Sequence, residues 1–148
     1  MKRFQFRLET LLNLRKRREE ECKTQLGRKN HEIGTARLAL DRLNRAFFEL
    51  QASEKLKRVK TQNIIELRYS VSYRFKLRHD IMGQNHLLDT LNGQALEIRN
   101  RLIRAMQQRR AIELLRERKH EQWRVERNRE EQSFIDEVAL RGTRKAII

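Results

Sequence analysis

A chain of 148 residues with 37% charged side chains, 6% aromatics and no proline has too little apolar mass for a thick multilayer core, but enough for a helical seam. Thirty-five Lys plus Arg against 20 Asp plus Glu leave a formal charge of +15, which favours acidic partners: nucleic acid, an anionic membrane surface or acidic protein. A single cysteine, Cys22, excludes an internal disulfide and suits a reducing compartment. No apolar run approaches the ~20 residues of a membrane span. The opening MKRFQFRLETLLNLRKR is basic without a continuous apolar core, unlike a secretory signal. The expectation is a soluble, cytoplasmic chain. Disorder competes as a reading of so charged a sequence, and regular heptads over most of its length oppose it.

The first helix is expected over about 4–57. One heptad frame fits it, with Leu12, Glu19, Leu26, Ile33, Leu40 and Phe47 at a, and Leu8, Arg15, Cys22, Lys29, Ala36, Leu43 and Leu50 at d. The frame is weak at Arg15, Glu19 and Lys29, whose stems can lie on the seam while their polar ends stay wet. Cys22 reads as a small seam hydrophobe. After Leu50 the pattern breaks, and QASEKLKRVKTQN suits a reversal at about 58–65. IIELRYSVSYRFKL mixes β-branched and aromatic residues but has no partner strand, so it reads as the start of the second helix.

That helix is expected over about 66–141, ending at Gly142 with GTRKAII as a frayed tail. From Leu77 to Ile112 a seam of Leu77, Ile81, Leu88, Leu91, Ala95, Ile98, Leu102, Ala105 and Ile112 is interrupted only by the polar Gln84 and Arg109. Beyond Ile112 it degrades to Arg116, Lys119, Glu126, Glu130 and Ser133. A turn near Asn63 pairs residues whose numbers sum to about 127, in the manner of an antiparallel coiled coil. Leu40 then faces Leu88, Ala36 faces Leu91, Phe47 faces Ile81, Leu12 approaches Arg116, and Phe4 lands near Trp123. The predicted fold is all-α: one domain over 1–148, a two-helix antiparallel coiled-coil hairpin with a longer C-terminal helix. An intermolecular coiled-coil dimer without a hairpin is the alternative.

A two-helix hairpin offers no concave site, and no glycine-rich phosphate loop or nucleophile elbow occurs, so no enzyme activity and no cofactor is expected. His79 and His86 share a helix face at a spacing of about 10 Å, too far for one metal; no metal site is expected. The Arg-dense stretch from Arg99 to Arg129 reads either as a solvated face with local ion pairs such as Glu97 with Arg101, or as a docking surface for an acidic protein. It lacks the aromatic interleaving of single-strand binders, although bare charge suffices for nonspecific phosphate binding. A basic hairpin binding nucleic acid is therefore the rival function. Phe47, Phe48, Tyr69, Tyr73 and Phe75 collect near the turn, either as packing around it or as an exposed patch for a partner.

FQFRLETLLNLRKRREEE, with Phe4, Phe6, Leu8, Leu11, Leu12 and Arg15, and SFIDEVALR, with Asp136 and Glu137, resemble the opening and closing motifs of the flagellar FliJ family and of related type III secretion stalk proteins. The resemblance spans nearly the whole chain. It implies a non-enzymatic stalk of the flagellar protein export apparatus, serving flagellum biogenesis and motility. Such a stalk docks into the hexameric export ATPase, contacts the cytoplasmic domain of the export gate protein and acts beside export chaperones with a chaperone-like role. Its implied place is cytoplasmic, peripheral to the inner membrane at the flagellar base, without membrane insertion and without nucleic acid. Carried onto this chain, the ATPase-ring contacts are Leu8, Leu12, Asp136 and Glu137, with Arg116 and Arg124 added from the basic overhang. The gate contacts are Phe47, Phe48, Tyr73 and Leu77.

Overall fold

The computed structural model describes residues 3–58 and 63–145, with side chains to Gly142. Two helices form: α1, Glu9–Lys57, and α2, Ile64–Lys145, with no strand among the described residues. The stretch IIELRYSVSYRFKL lies wholly in α2, because β-branched and aromatic residues without a strand partner are absorbed by the helix around them.

Helix α1 starts later than its expected beginning near Phe4. The Glu9 amide donates to the Phe6 carbonyl at 3.1 Å and the Leu12 amide to the Leu8 carbonyl at 2.9 Å, so a turn at Arg7 and Leu8 leads into the helix. Upstream, the Phe4 ring meets His120 edge-on at 5.0 Å and Trp123 at 5.9 Å, contacts made by a non-helical segment. Glu9 in the first turn and Lys55 and Lys57 in the last complement the helix dipole.

The expected reversal falls partly on residues 59–62, which lie outside the described residues. On its far side Asn63 acts as an N-cap. Its Oδ1 accepts from the Ile65 amide at 3.2 Å, and its carbonyl accepts from the Leu67 amide at 3.2 Å. This cap starts α2 at Ile64 rather than Glu66, and leaves Glu66 in the first turn, where the dipole favours it. At the other end Gly142 does not stop the helix. Glycine terminates a helix by turning to positive φ; here no glycine does so, and α2 continues to Lys145.

The chain forms two compact units, one of the residues up to Glu20 with those from Ile103 onward, the other Glu21–Leu102. In each, a stretch of α1 packs antiparallel on a stretch of α2. Cross-helix partners such as Glu9 and Arg116, Glu19 and Arg109, or Glu54 and Arg74 have numbers summing to between 125 and 128, the near-constant sum that antiparallel pairing requires. Every heptad position of α1 from Leu12 to Leu50 is buried or half-buried, including the polar Arg15, Glu19 and Lys29. So is every seam position of α2 from Leu77 to Ile112. In the first unit Leu12 is completely buried and Ala105 nearly so. In the second, Ile33, Ala36, Leu88 and Leu91 form a cluster flanked by Leu40 and Ala95. Each fully buried Leu or Ile stabilises the pairing by about 1.5–3 kcal/mol, which is why the seam rather than helix propensity holds the fold.

Candidate functional site

Within the second unit the heptad frame does not break at Leu50. One heptad beyond Phe47 stands Glu54, and one heptad before Ile81 stands Arg74, and the two form an ion pair in which Glu54 is buried and Arg74 half-buried. Arg74 Nε is buried without a hydrogen-bond partner. A comparable layer lies in the first unit. Arg109 donates from Nε to Glu19, which is 4% exposed, and from Nη1 to Glu113 Oε2 at 2.5 Å. Its hydrogen bonds to Glu19 and Glu113 raise the pKa of the Arg109 guanidinium, and the same bond from Arg109 holds the Glu113 carboxyl below its usual range. Beside them Arg15 donates from Nη1 to Gln108 Oε1 at 2.5 Å. Buried ion pairs contribute little net stability, because desolvation offsets attraction, but a wrong register would strand their charges. Gln84 works in the same sense, donating from Nε2 to the Ala36 carbonyl at 3.1 Å. With their carboxylates tied to arginines, these layers position helices and offer no acid or base to a substrate.

In the first unit Phe4, Phe6, Leu8, Leu115 and Trp123 line an apolar groove of about 830 Å³ whose rim carries Arg3, Arg7 and Lys119. Past Trp123 every described side chain from Arg124 to Gly142 is exposed except that of Glu131. The overhang displays Phe134, Ile135 and Val138 to solvent among local ion pairs: Arg124 with Glu121 at 2.9 Å, Arg127 with Glu131 at 3.2 Å, and Arg141 with Glu137 at 2.5 Å.

In the second unit the aromatics near the turn divide. Phe47 is half-buried under the Arg78 guanidinium, 5.8 Å from its ring centre. Phe48, Tyr69, Tyr73 and Phe75 are exposed, with Phe48 at 69% and Tyr69 at 73%. They face solvent rather than packing around the reversal. A hairpin two helices thick has no third layer to cover them.

The residues singled out from the sequence therefore separate by burial. Leu8 is partly exposed on the groove, and Asp136, Glu137 and Arg124 are exposed on the overhang. Arg116 is half-exposed and pairs with Glu9 at 3.1 Å. Phe48 and Tyr73 are open to solvent. Leu12 and Leu77 are not. At 0% and 3% exposure they are spent on joining α1 to α2 and present no surface to a partner. The sequence reading missed the contact of His120 with both Phe4 and Trp123, and the ion pair of Glu54 with Arg74. Extending each frame by one heptad past its last apolar residue would have found that pair.

Among the described residues no group of three or more His, Cys, Asp or Glu could hold a metal ion. No described helix is long and apolar enough to cross a membrane. No curated protein and no solved structure matches the chain. The model of the family described as "Flagellar FliJ protein" matches residues 4–146, nearly the full length, in keeping with the paired helices and the motifs at both termini. The chain belongs to the flagellar FliJ family, non-catalytic components of flagellar protein export.

Proposed function

We propose that this protein is a stalk of the flagellar type III export apparatus, docking into the hexameric export ATPase and linking it to the cytoplasmic domain of the export gate protein. The observation that supports this reading is the distribution of exposed apolar groups. The seam from Leu12 to Leu50 and from Leu77 to Ile112 is consumed by pairing α1 with α2. What remains for partners is the set of exposed aromatics Phe48, Tyr69, Tyr73 and Phe75, and the groove and overhang of the first unit. The ring contacts are Leu8, Arg116, Arg124, Asp136 and Glu137; the gate contacts are Phe48 and Tyr73, with Phe47 behind them. Leu12 and Leu77 act by holding those surfaces in place. A stiff asymmetric helix pair touches only some subunits of a six-fold ring at once, and so biases their nucleotide states, while basic side chains meet acidic loops of the ring. The protein works in the cytoplasm, peripheral to the inner membrane at the flagellar base, with a chaperone-like role beside export chaperones, and without nucleic acid.

Stoichiometric addition of the protein to the export ATPase at low salt is expected to promote hexamerisation and raise turnover. Unchanged assembly and turnover would remove the stalk role. A paired alanine variant, Phe48→Ala with Tyr73→Ala, is expected to keep the ATPase effect and lose retention on the immobilised gate domain. Equal loss of both would refute the division of surfaces.

A further inference from the structure

One face of the overhang has a charge order that suits a second copy of this chain. Lys119, Trp123, Arg127, Glu130, Phe134 and Glu137 recur at spacings of three and four, and so share one side of α2. In the first unit Phe4 covers this face at His120 and Trp123, and beyond Trp123 it is open, with Phe134 67% exposed. Residues 130–140 carry four acids and no base, an acidic island in a chain of charge +15. Basic groups, Arg3, Arg7 and Lys119, rim the apolar groove. Island and groove are complementary in charge and in apolar character. The island cannot reach the groove of its own molecule, because α2 runs unbroken through both.

We propose that two molecules pair through their overhangs, antiparallel, about a two-fold axis between Asn128 and Arg129. This arrangement sets Trp123 against the partner copy's Phe134 position and Arg127 against the Glu130 position, with Lys119 one residue from direct opposition to the Glu137 position, and each contact occurs twice, as an isologous interface demands. The acidic island of each overhang then lies toward the basic rim of the other molecule's groove. A parallel pair would instead put Glu130 on Glu130, Arg127 on Arg127 and Glu137 on Glu137, three like-charge contacts that select against it. The local pairs Arg127 with Glu131 and Arg141 with Glu137 are solvent-exposed and weakly held, so they exchange partners at little cost. The inference does not rest on the stalk reading. It adds that the pair covers the overhang until another partner displaces it.

Sedimentation equilibrium of the full chain over a range of micromolar concentrations tests this. The expected mass is twice the 18.0 kDa of the chain, with dissociation favoured by salt. Variant one, Glu130→Arg with Glu137→Lys, and variant two, Lys119→Glu with Arg127→Glu, each put like charges in contact and are expected to weaken self-association at least about tenfold. An equimolar mixture of the two restores opposite charges at all four contacts and regains the dimer. Circular dichroism of each variant confirms that the helices persist. A monomer at every concentration for the unaltered chain, a dimer indifferent to both variants, or a mixture that stays monomeric would each overturn the proposal.

Discussion

Glu19 and Arg109, 90 residues apart in the chain, meet inside the helix pairing, where the Nε–H of Arg109 donates to Glu19 Oε2. Glu19 is among the most buried side chains of the protein, and Arg109 also holds Glu113. Removing one partner leaves the other desolvated and unpaired, whereas replacing both with leucine completes the apolar seam. Glu19→Leu and Arg109→Leu alone are each expected to lower the thermal midpoint. The double variant is expected to return to the parent value or above it. Thermal melts followed by circular dichroism decide this, and additive losses in the double variant would contradict the pairing.

Acid should weaken the same layer. Arg109 holds the Glu113 carboxyl below its ordinary value of 4.5 in the folded protein, so ionised Glu113 stabilises the fold above that value, and the contribution fades as pH falls through the depressed pKa. Glu113→Gln is expected to flatten the loss of stability between about pH 5 and pH 3, with little effect on its slope near pH 7. Urea midpoints across this range measure it. An unchanged acid slope would show that Glu113 is not the group responsible.

Burial also separates residues that look alike in sequence. Leu12→Ala and Ile33→Ala, at completely and nearly completely buried positions, are each expected to cost about 2–5 kcal/mol. Phe134→Ala and Phe48→Ala, both exposed, are expected to stay within about 0.5 kcal/mol of the parent. Chemical denaturation at low protein concentration isolates the intramolecular term. A large loss at Phe134 would mean that the overhang packs against its own chain.

Gly27 and Gly93 sit inside helices with no positive φ, and a Cβ built on either meets nothing within 4 Å. Gly27→Ala and Gly93→Ala are each expected to stabilise by up to about 1 kcal/mol, mainly by narrowing the unfolded ensemble. Destabilisation at either position would point to a partner that approaches the backbone there.

The partner-facing surface was only partly legible in the residues. Leu8, Arg124, Asp136 and Glu137 could be placed near the termini by motif, and Phe48 and Tyr73 near the turn by composition. Whether a leucine of that set faced solvent could not be read, because motif position does not report burial. Leu12 and Leu77 carry the same side chain as Leu8, yet both are buried while Leu8 is 38% exposed. The aromatics near the turn were equally ambiguous until the absence of a third layer left Phe48, Tyr69, Tyr73 and Phe75 outside.

The spacing of apolar residues determined by itself that two long helices form and which face of each must be buried, while an intermolecular dimer stayed open beside the antiparallel hairpin. A period of 3.5 can be buried only against a second helix, and only one frame in each half supplies it. Tertiary structure alone decided what happens where that period fails. Glu19, Glu54, Arg74 and Arg109 look like breaks in the pattern when each helix is taken singly, since a charged side chain carries no label naming its partner. Folding back brings carboxylate to guanidinium, and in each unit the apparent break becomes a charged layer of that unit's own seam.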